Sequence, residues 1–103
     1  KGLVELEKDI KSCVGKDNYK FVSAYLGSGY AKLTKELIEF INEFYLLHNI
    51  SLDAIYTSKM MLGIIDLVVT DYFPEGSSIL AIHTGGLQGN KGMNERLGLS
   101  LPT

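Results

Sequence analysis

A single cysteine, Cys13, stands in a chain of 103 residues. A lone thiol excludes an internal disulfide and any cysteine-rich metal site, and it fits a reducing compartment such as the cytoplasm. Positive charge is short as well. Ten Lys and Arg against twelve Asp and Glu leave a net charge of −2, which offers no basic field to nucleic acid or to an anionic lipid surface. No apolar run is long: residues 60–69 form the longest, and Gly63 and Asp66 interrupt it. A membrane helix needs about 20 apolar residues, so neither a span nor a signal peptide is expected. The two histidines, His48 and His83, have no metal-ligand spacing and no cysteine or carboxylate to complete a set. The glycines at 85, 86 and 89 lack the spacing of a dinucleotide fingerprint and do not open a βαβ unit.

What is present is an ordinary globular composition, 46% hydrophobic and 21% charged, enough for one small domain or a piece of a larger one. Leu3, Leu6, Ile10 and Cys13 recur at helical spacing, which predicts a helix over 3–14 with Cys13 in its apolar stripe. Gly15 and Asp17-Asn18 end it. Residues 19–26 are aromatic and β-branched and read as a strand, broken by Gly27-Ser28-Gly29. Thr34 is a candidate N-cap for a helix that carries Leu37, Ile38, Ile41, Phe44, Tyr45 and His48 to about Asn49. Another helix is predicted from Thr57 or Ser58 to about Asp71, and Pro74-Glu75-Gly76 marks a turn. Ile79-Leu80-Ala81-Ile82 then reads as a strand buried on both faces. It breaks at His83-Thr84-Gly85-Gly86, and a polar, glycine-rich tail follows.

With two helices between them, the two strands are expected to pair in parallel through a crossover. The expected architecture is α/β: part of a three-layer sheet with parallel strands and covering helices, the C-terminal portion of a two-domain fold. Too few helices are available to cover a whole sheet, and the chain opens at Lys1-Gly2. Both point to a fragment of a larger protein, with no internal boundary across 1–103.

Ligands of open α/β sheets sit beyond the carboxyl ends of the strands. That edge would carry Gly27-Ser28-Gly29-Tyr30 and His83-Thr84-Gly85-Gly86, with Tyr56 at a helix N-terminus facing it. Two tyrosines, a threonine hydroxyl and glycines that let backbone pass close to a ligand would then converge. The plainer alternative is that Tyr30 and Tyr56 cap a core with their hydroxyls at its rim. Strand alternation turns His83 away from Thr84, which makes Thr84 the ligand-facing residue and His83 a packed, hydrogen-bonded one.

Gly27-Ser28-Gly29-Tyr30, Leu52-Asp53-Ala54-Ile55-Tyr56-Thr57-Ser58-Lys59 and His83-Thr84-Gly85-Gly86 resemble, in order and spacing, three motifs of one family. These are the G-x-G-Y, L-D-P-V-Y-x-G-K and H-x-G-G of pyridoxal-phosphate-dependent enzymes of the tryptophan synthase β type (fold type II). The branch is that of 1-aminocyclopropane-1-carboxylate deaminase and D-cysteine desulfhydrase, and the resemblance covers residues 19–89. It implies pyridoxal 5′-phosphate as cofactor, a small amino acid as substrate, deaminase or lyase activity, and a homodimer. The family's Schiff-base lysine and phosphate pocket lie upstream and have no counterpart here. The resemblance therefore supplies the far wall of a site, and these residues alone are expected to be inactive. Tyr30 and Tyr56 match the two active-site tyrosines that approach the substrate and its leaving group. Thr84 matches the residue whose hydroxyl meets the pyridine nitrogen, with Gly85 beside it and Thr57 following the second tyrosine. Cyclopropane-opening deaminases resemble Y-E-G-K and H-L-G-G. Thr57 and Thr84 instead follow the D-cysteine desulfhydrase pattern, which implies β-elimination to pyruvate, ammonia and sulfide. Ala54-Ile55 in place of Pro-Val, and Ser58 in place of Gly, depart from the family pattern. A non-catalytic α/β binding or interaction domain, with the tyrosines and Thr84 structural, is the competing reading.

Overall fold

A computed structural model describes residues 3–22, 24–25 and 33–103. Its regular elements are the helices α1 (Leu3–Val14), α2 (Lys35–His48), α3 (Thr57–Val69) and α4 (Gln88–Leu97). Among the described residues no helix is long and apolar enough to cross a membrane.

α2 starts where the Thr34 hydroxyl accepts the Leu37 N–H at 3.2 Å, meeting one of the donors that a helix start leaves open. It stops at Asn49, whose left-handed backbone (φ 55°) returns its N–H to the Tyr45 carbonyl, an αL cap. Leu37, Ile41 and Phe44, three and four residues apart, form its buried stripe. Leu37 and Ile41 meet Ala54 from the turn before α3, Met93 of α4 and Leu101 of the last segment. Leu33, Ile38, Ile55 and Leu99 pack around that cluster. This small core ties α2, the 52–55 turn and α4 together. The buried residues of α3 are Thr57, Ser58 and Gly63, while its Leu62, Ile65, Val68 and Val69 are exposed. α1 has the predicted span, but among the described residues its stripe is not part of the core: Ile10 is half-buried and Leu6 exposed. Val4, Leu6 and Val14 are exposed, and Cys13 is a free, exposed thiol rather than a core residue.

The α/β expectation is overturned. No strand or sheet occurs among the described residues, so the three-layer sheet with parallel strands does not form. Residues 79–83 have strand-like composition but irregular backbone, with Leu80 85% exposed and Ile82 likewise outside the core. Apolar composition alone does not make a strand: its backbone must be paired in a ladder, and residues 79–82 find none among the described residues. Residues 19–22 are irregular as well, and the rest of that predicted strand lies partly outside the described residues. The glycine-rich stretch after 86 is not a tail. α4 forms there despite Gly89 and Gly92, because Asn90 and Met93 are drawn into the interior and Gly98 (φ 67°) closes the helix.

Candidate functional site

The turn that launches α3 is built on one carboxylate. Tyr56 occupies the N-cap position, but its side chain makes no cap hydrogen bond; Asp53 does the capping. Asp53 Oδ1 accepts the N–H groups of Ile55 and Tyr56 at 2.8 and 2.7 Å. Oδ2 accepts the Thr57 N–H at 2.8 Å and the Thr57 hydroxyl at 2.6 Å. Thr57 Oγ1 in turn accepts the Asp53 N–H at 2.8 Å, and the Asp53 carbonyl takes the Ser58 N–H at 3.1 Å. Asp53 and Thr57 are both buried and satisfy one another. Burial pushes the Asp53 carboxyl up, but the Thr57 hydroxyl and the N–H groups of Thr57, Tyr56 and Ile55 outweigh it and hold the group below the usual carboxylate range. The positive end of α3, which would otherwise attract an anion, is therefore filled by the protein's own carboxylate. The N–H groups of Ile55, Tyr56, Thr57 and Ser58 there are all taken by Asp53.

A second segment docks on this turn. His83 Nε2 lies 2.7 Å from the Ser51 carbonyl, and His83 Nδ1 accepts the Gly85 N–H at 3.0 Å. A carbonyl only accepts and a backbone N–H only donates, so these partners assign a neutral ring with its proton on Nε2. Gly86 has φ 92°, and a Cβ there would stand 3.3 Å from Asp53 Cγ. Glycine is thus required for both the left-handed backbone and the close approach. Gly85 (φ 90°) has nothing among the described residues within 4 Å of the corresponding position. Thr84 is exposed, and its hydroxyl has no hydrogen-bond partner among the described residues. From the opposite side, the buried Asn90 of α4 accepts the Ala54 N–H at 2.8 Å. Its amide donates to the carbonyls of Leu52 at 2.8 Å and Pro102 at 2.9 Å.

Along α3 runs a cleft of about 370 Å³ whose lining includes Tyr25, Ile55, Tyr56, Lys59 and Met60. Tyr56 is 60% exposed. The Tyr25 ring fills the space beside Gly63, where a Cβ would come within 2.9 Å of it. The Tyr25 hydroxyl donates to the Asp66 carboxylate, and that bond holds the phenol above its ordinary value.

Tyr56, Thr57, Thr84 and Gly85 thus belong to one cluster, the 51–57 turn and the 83–86 loop joined through His83, Gly86 and Asp53. Tyr56, Thr84 and Gly85 present surface, whereas Thr57 is buried with its hydroxyl engaged by Asp53. Tyr30 lies outside the described residues. Sequence reasoning missed three residues. Asp53 was visible as an acidic residue four positions before a helix-starting threonine, a capping signal. Asn90 and Tyr25 left no signal, because their partners are distant in the chain. The cluster offers neutral hydroxyl donors beside bare backbone, next to an aromatic-lined cleft.

No family model matches the chain, but curated relatives do. A stretch of 84 residues, 82% of this chain, is 37% identical to a 1-aminocyclopropane-1-carboxylate deaminase of Rhizobium rhizogenes and covers 24% of that protein. A protein of the same name from Bradyrhizobium diazoefficiens is 34% identical over 84 residues, 82% of this chain and 24% of its own length. The mitochondrial bifunctional D-cysteine desulfhydrase/1-aminocyclopropane-1-carboxylate deaminase of Arabidopsis thaliana is 41% identical over 66 residues, 61% of this chain and 16% of its own. The chain spans about a quarter of the length of the first two relatives. Similarity that runs through most of its residues carries the conclusion: the chain belongs to the 1-aminocyclopropane-1-carboxylate deaminase / D-cysteine desulfhydrase family.

Proposed function

We propose that these residues are the C-terminal part of a pyridoxal-phosphate-dependent deaminase or lyase acting on a small amino acid, and that they form one wall of its site. One observation carries the reading: a Thr84 hydroxyl with no partner among the described residues, and Gly85 beside it, stand on a loop docked against the turn that bears Tyr56. These residues fit the edge of a flat heteroaromatic cofactor. Thr84 can donate to a ring nitrogen, and Gly85 leaves room for the ring. They do not fit its phosphate, since Asp53 already occupies the α3 N-terminus. When bound, the cofactor would supply an electron sink at the substrate's α carbon. The chain's own part is positional and protonic. Thr84 holds the ring nitrogen with a neutral hydroxyl, a weaker counter-charge than a carboxylate. Thr57 and Asp53 hold the turn that carries Tyr56. Tyr56 is assigned to the substrate, where a phenol can pass a proton to a departing sulfur; the family resemblance assigns the same task to Tyr30.

The substrate assigned is D-cysteine, eliminated to pyruvate, ammonia and sulfide, because Thr57 and Thr84 occupy the two positions that distinguish the branches. The name 1-aminocyclopropane-1-carboxylate deaminase, borne by the relatives, favours cyclopropane opening as the second reading. Nothing in those names supports a non-catalytic domain. The remainder of the enzyme and a second copy of it are the proposed partners, which agrees with the exposed Leu46, Leu47, Leu80 and Ile82. The cytoplasm is the proposed compartment, on the free thiol of Cys13.

The test is the full-length protein incubated with pyridoxal 5′-phosphate. A visible absorption band and a lysine trapped by borohydride are expected; their absence would sink the reading. Turnover of D-cysteine beside 1-aminocyclopropane-1-carboxylate then assigns the branch. Thr84→Leu is expected to move preference toward the cyclopropane, whereas Thr57→Glu would press a second carboxylate on the buried Asp53 and is expected to break the turn. Undiminished D-cysteine turnover in Thr84→Leu would remove the role given to Thr84.

A further inference from the structure

His83 is one residue from Thr84 and is bonded on both ring nitrogens, yet nothing in the proposed chemistry uses it. Its Nε2–H goes to the Ser51 carbonyl at 2.7 Å, and its Nδ1 receives the Gly85 N–H at 3.0 Å. These partners lie on two different segments. Ser51 leads into the Asp53-capped turn that carries Tyr56, and Gly85 follows Thr84 directly. The imidazole is therefore a strut of fixed length between the two halves of the cluster. It also closes a three-residue turn on itself, 83 to 85, which fixes the backbone on both sides of Thr84. Gly86 then seats against Asp53, so the far end of the loop is held too. The ring is exposed, and its place rests on hydrogen bonds rather than on packing.

We infer that His83 is a positioning residue: its neutral ring, protonated on Nε2, sets where the Thr84 hydroxyl stands relative to Tyr56. This rests on the reading of Thr84 and Tyr56 given above. Substitution splits the two bonds. His83→Phe keeps a planar ring but loses both. His83→Asn keeps an acceptor on the side chain for Gly85 and a donor for Ser51 on a shorter reach. A phenylalanine on an exposed loop removes no core contact, so global stability is expected to hold.

The test uses the full-length protein and two readouts. Exchange of the Gly85 amide hydrogen is expected to speed up about tenfold in His83→Phe, the value of one hydrogen bond. Exchange of α2 amides is expected not to move. For turnover of D-cysteine, His83→Phe is expected to lower kcat between about tenfold and a hundredfold, the effect of a misplacement on the order of 1 Å, with KM changed less than kcat. His83→Asn is expected to recover part of the kcat. Unchanged Gly85 exchange in His83→Phe overturns the strut. Faster exchange with unchanged kcat overturns its bearing on Thr84. If wild-type protein forms no cofactor band and turns nothing over, the underlying reading has failed, and the positioning role falls with it whatever the exchange data give.

Discussion

Removing the Asp53 carboxylate tests how the Tyr56 turn is held. In Asp53→Ala the N–H groups of Ile55, Tyr56 and Thr57 lose their acceptor, and the buried Thr57 hydroxyl loses its own. A buried donor left without a partner costs about 1–3 kcal/mol, and an N-cap substitution costs about 1 kcal/mol in helix stability. Ile55 and Tyr56 are partly solvent-accessible, so water can serve them, and a total of roughly 3 kcal/mol follows rather than the full sum. Asp53→Asn keeps the shape but turns an NH₂ toward one pair of donors, at a cost of about 2 kcal/mol. Urea unfolding measures the total, and amide exchange at 55, 56 and 57 localises it. The sign of the pH dependence follows from the direction of the shift. The folded carboxyl sits below its unfolded value, so its contribution is fully present above the ordinary value of about 4 and is lost as pH falls through the lower folded value. The stability gap between wild type and Asp53→Ala is expected to narrow on acidification below pH ~4. A gap that stays constant through that range, or unchanged exchange at 55–57 in Asp53→Ala, would refute the capping role.

Other outcomes follow from single contacts. Gly86→Ala is expected to cost about 2 kcal/mol or more and Gly85→Ala about 1, since both have positive φ but only Gly86 is pressed on Asp53; equal losses in thermal unfolding would contradict that. Ser58 is fully buried with an Oγ that has no partner among the described residues. Ser58→Ala should therefore be neutral or stabilising by about 1 kcal/mol, and clear destabilisation would reveal a bond the hydroxyl makes. The Tyr25 phenol is held up by Asp66, a tie present at lower pH and lost as pH rises through the folded value. Ultraviolet titration, resolved by difference against Tyr25→Phe, should show that phenol returning to about 10 in Asp66→Ala.

The helices were legible where their ends are local. Thr34 and Asn49 bracket α2 within a few residues of the groups they cap, and the spacing of Leu37, Ile41 and Phe44 marks its inner face. α3 could be read from its apolar run, though the carboxylate that starts it stands outside the helix. α4 could not be read, because Gly89 and Gly92 disfavour a helix locally. The interactions that draw it in, from Asn90 to Leu52, Ala54 and Pro102, span up to 38 residues. The strands failed for the complementary reason: residues 79–82 have the right composition, but a strand is a property of a pair. For the site, Tyr56, Thr84 and the glycines could be named from the motifs. The struts that join them, His83 to Ser51 and Gly86 to Asp53, depend on contacts between segments about thirty residues apart, which no local pattern encodes. Ser58 sits where the family pattern has glycine, and its unpartnered hydroxyl is the physical trace of that departure.

The most direct test of the central claim, that Tyr56 and Thr84 face one bound substrate–cofactor pair, is pyruvate release from D-cysteine by the full-length protein. Wild type is compared with Tyr56→Phe and Thr84→Val. The account predicts turnover by wild type, a loss of kcat of at least about tenfold on removal of the Tyr56 hydroxyl, and a smaller loss without the Thr84 hydroxyl. No pyruvate from the cofactor-loaded wild type, or full kcat in both variants, would contradict it.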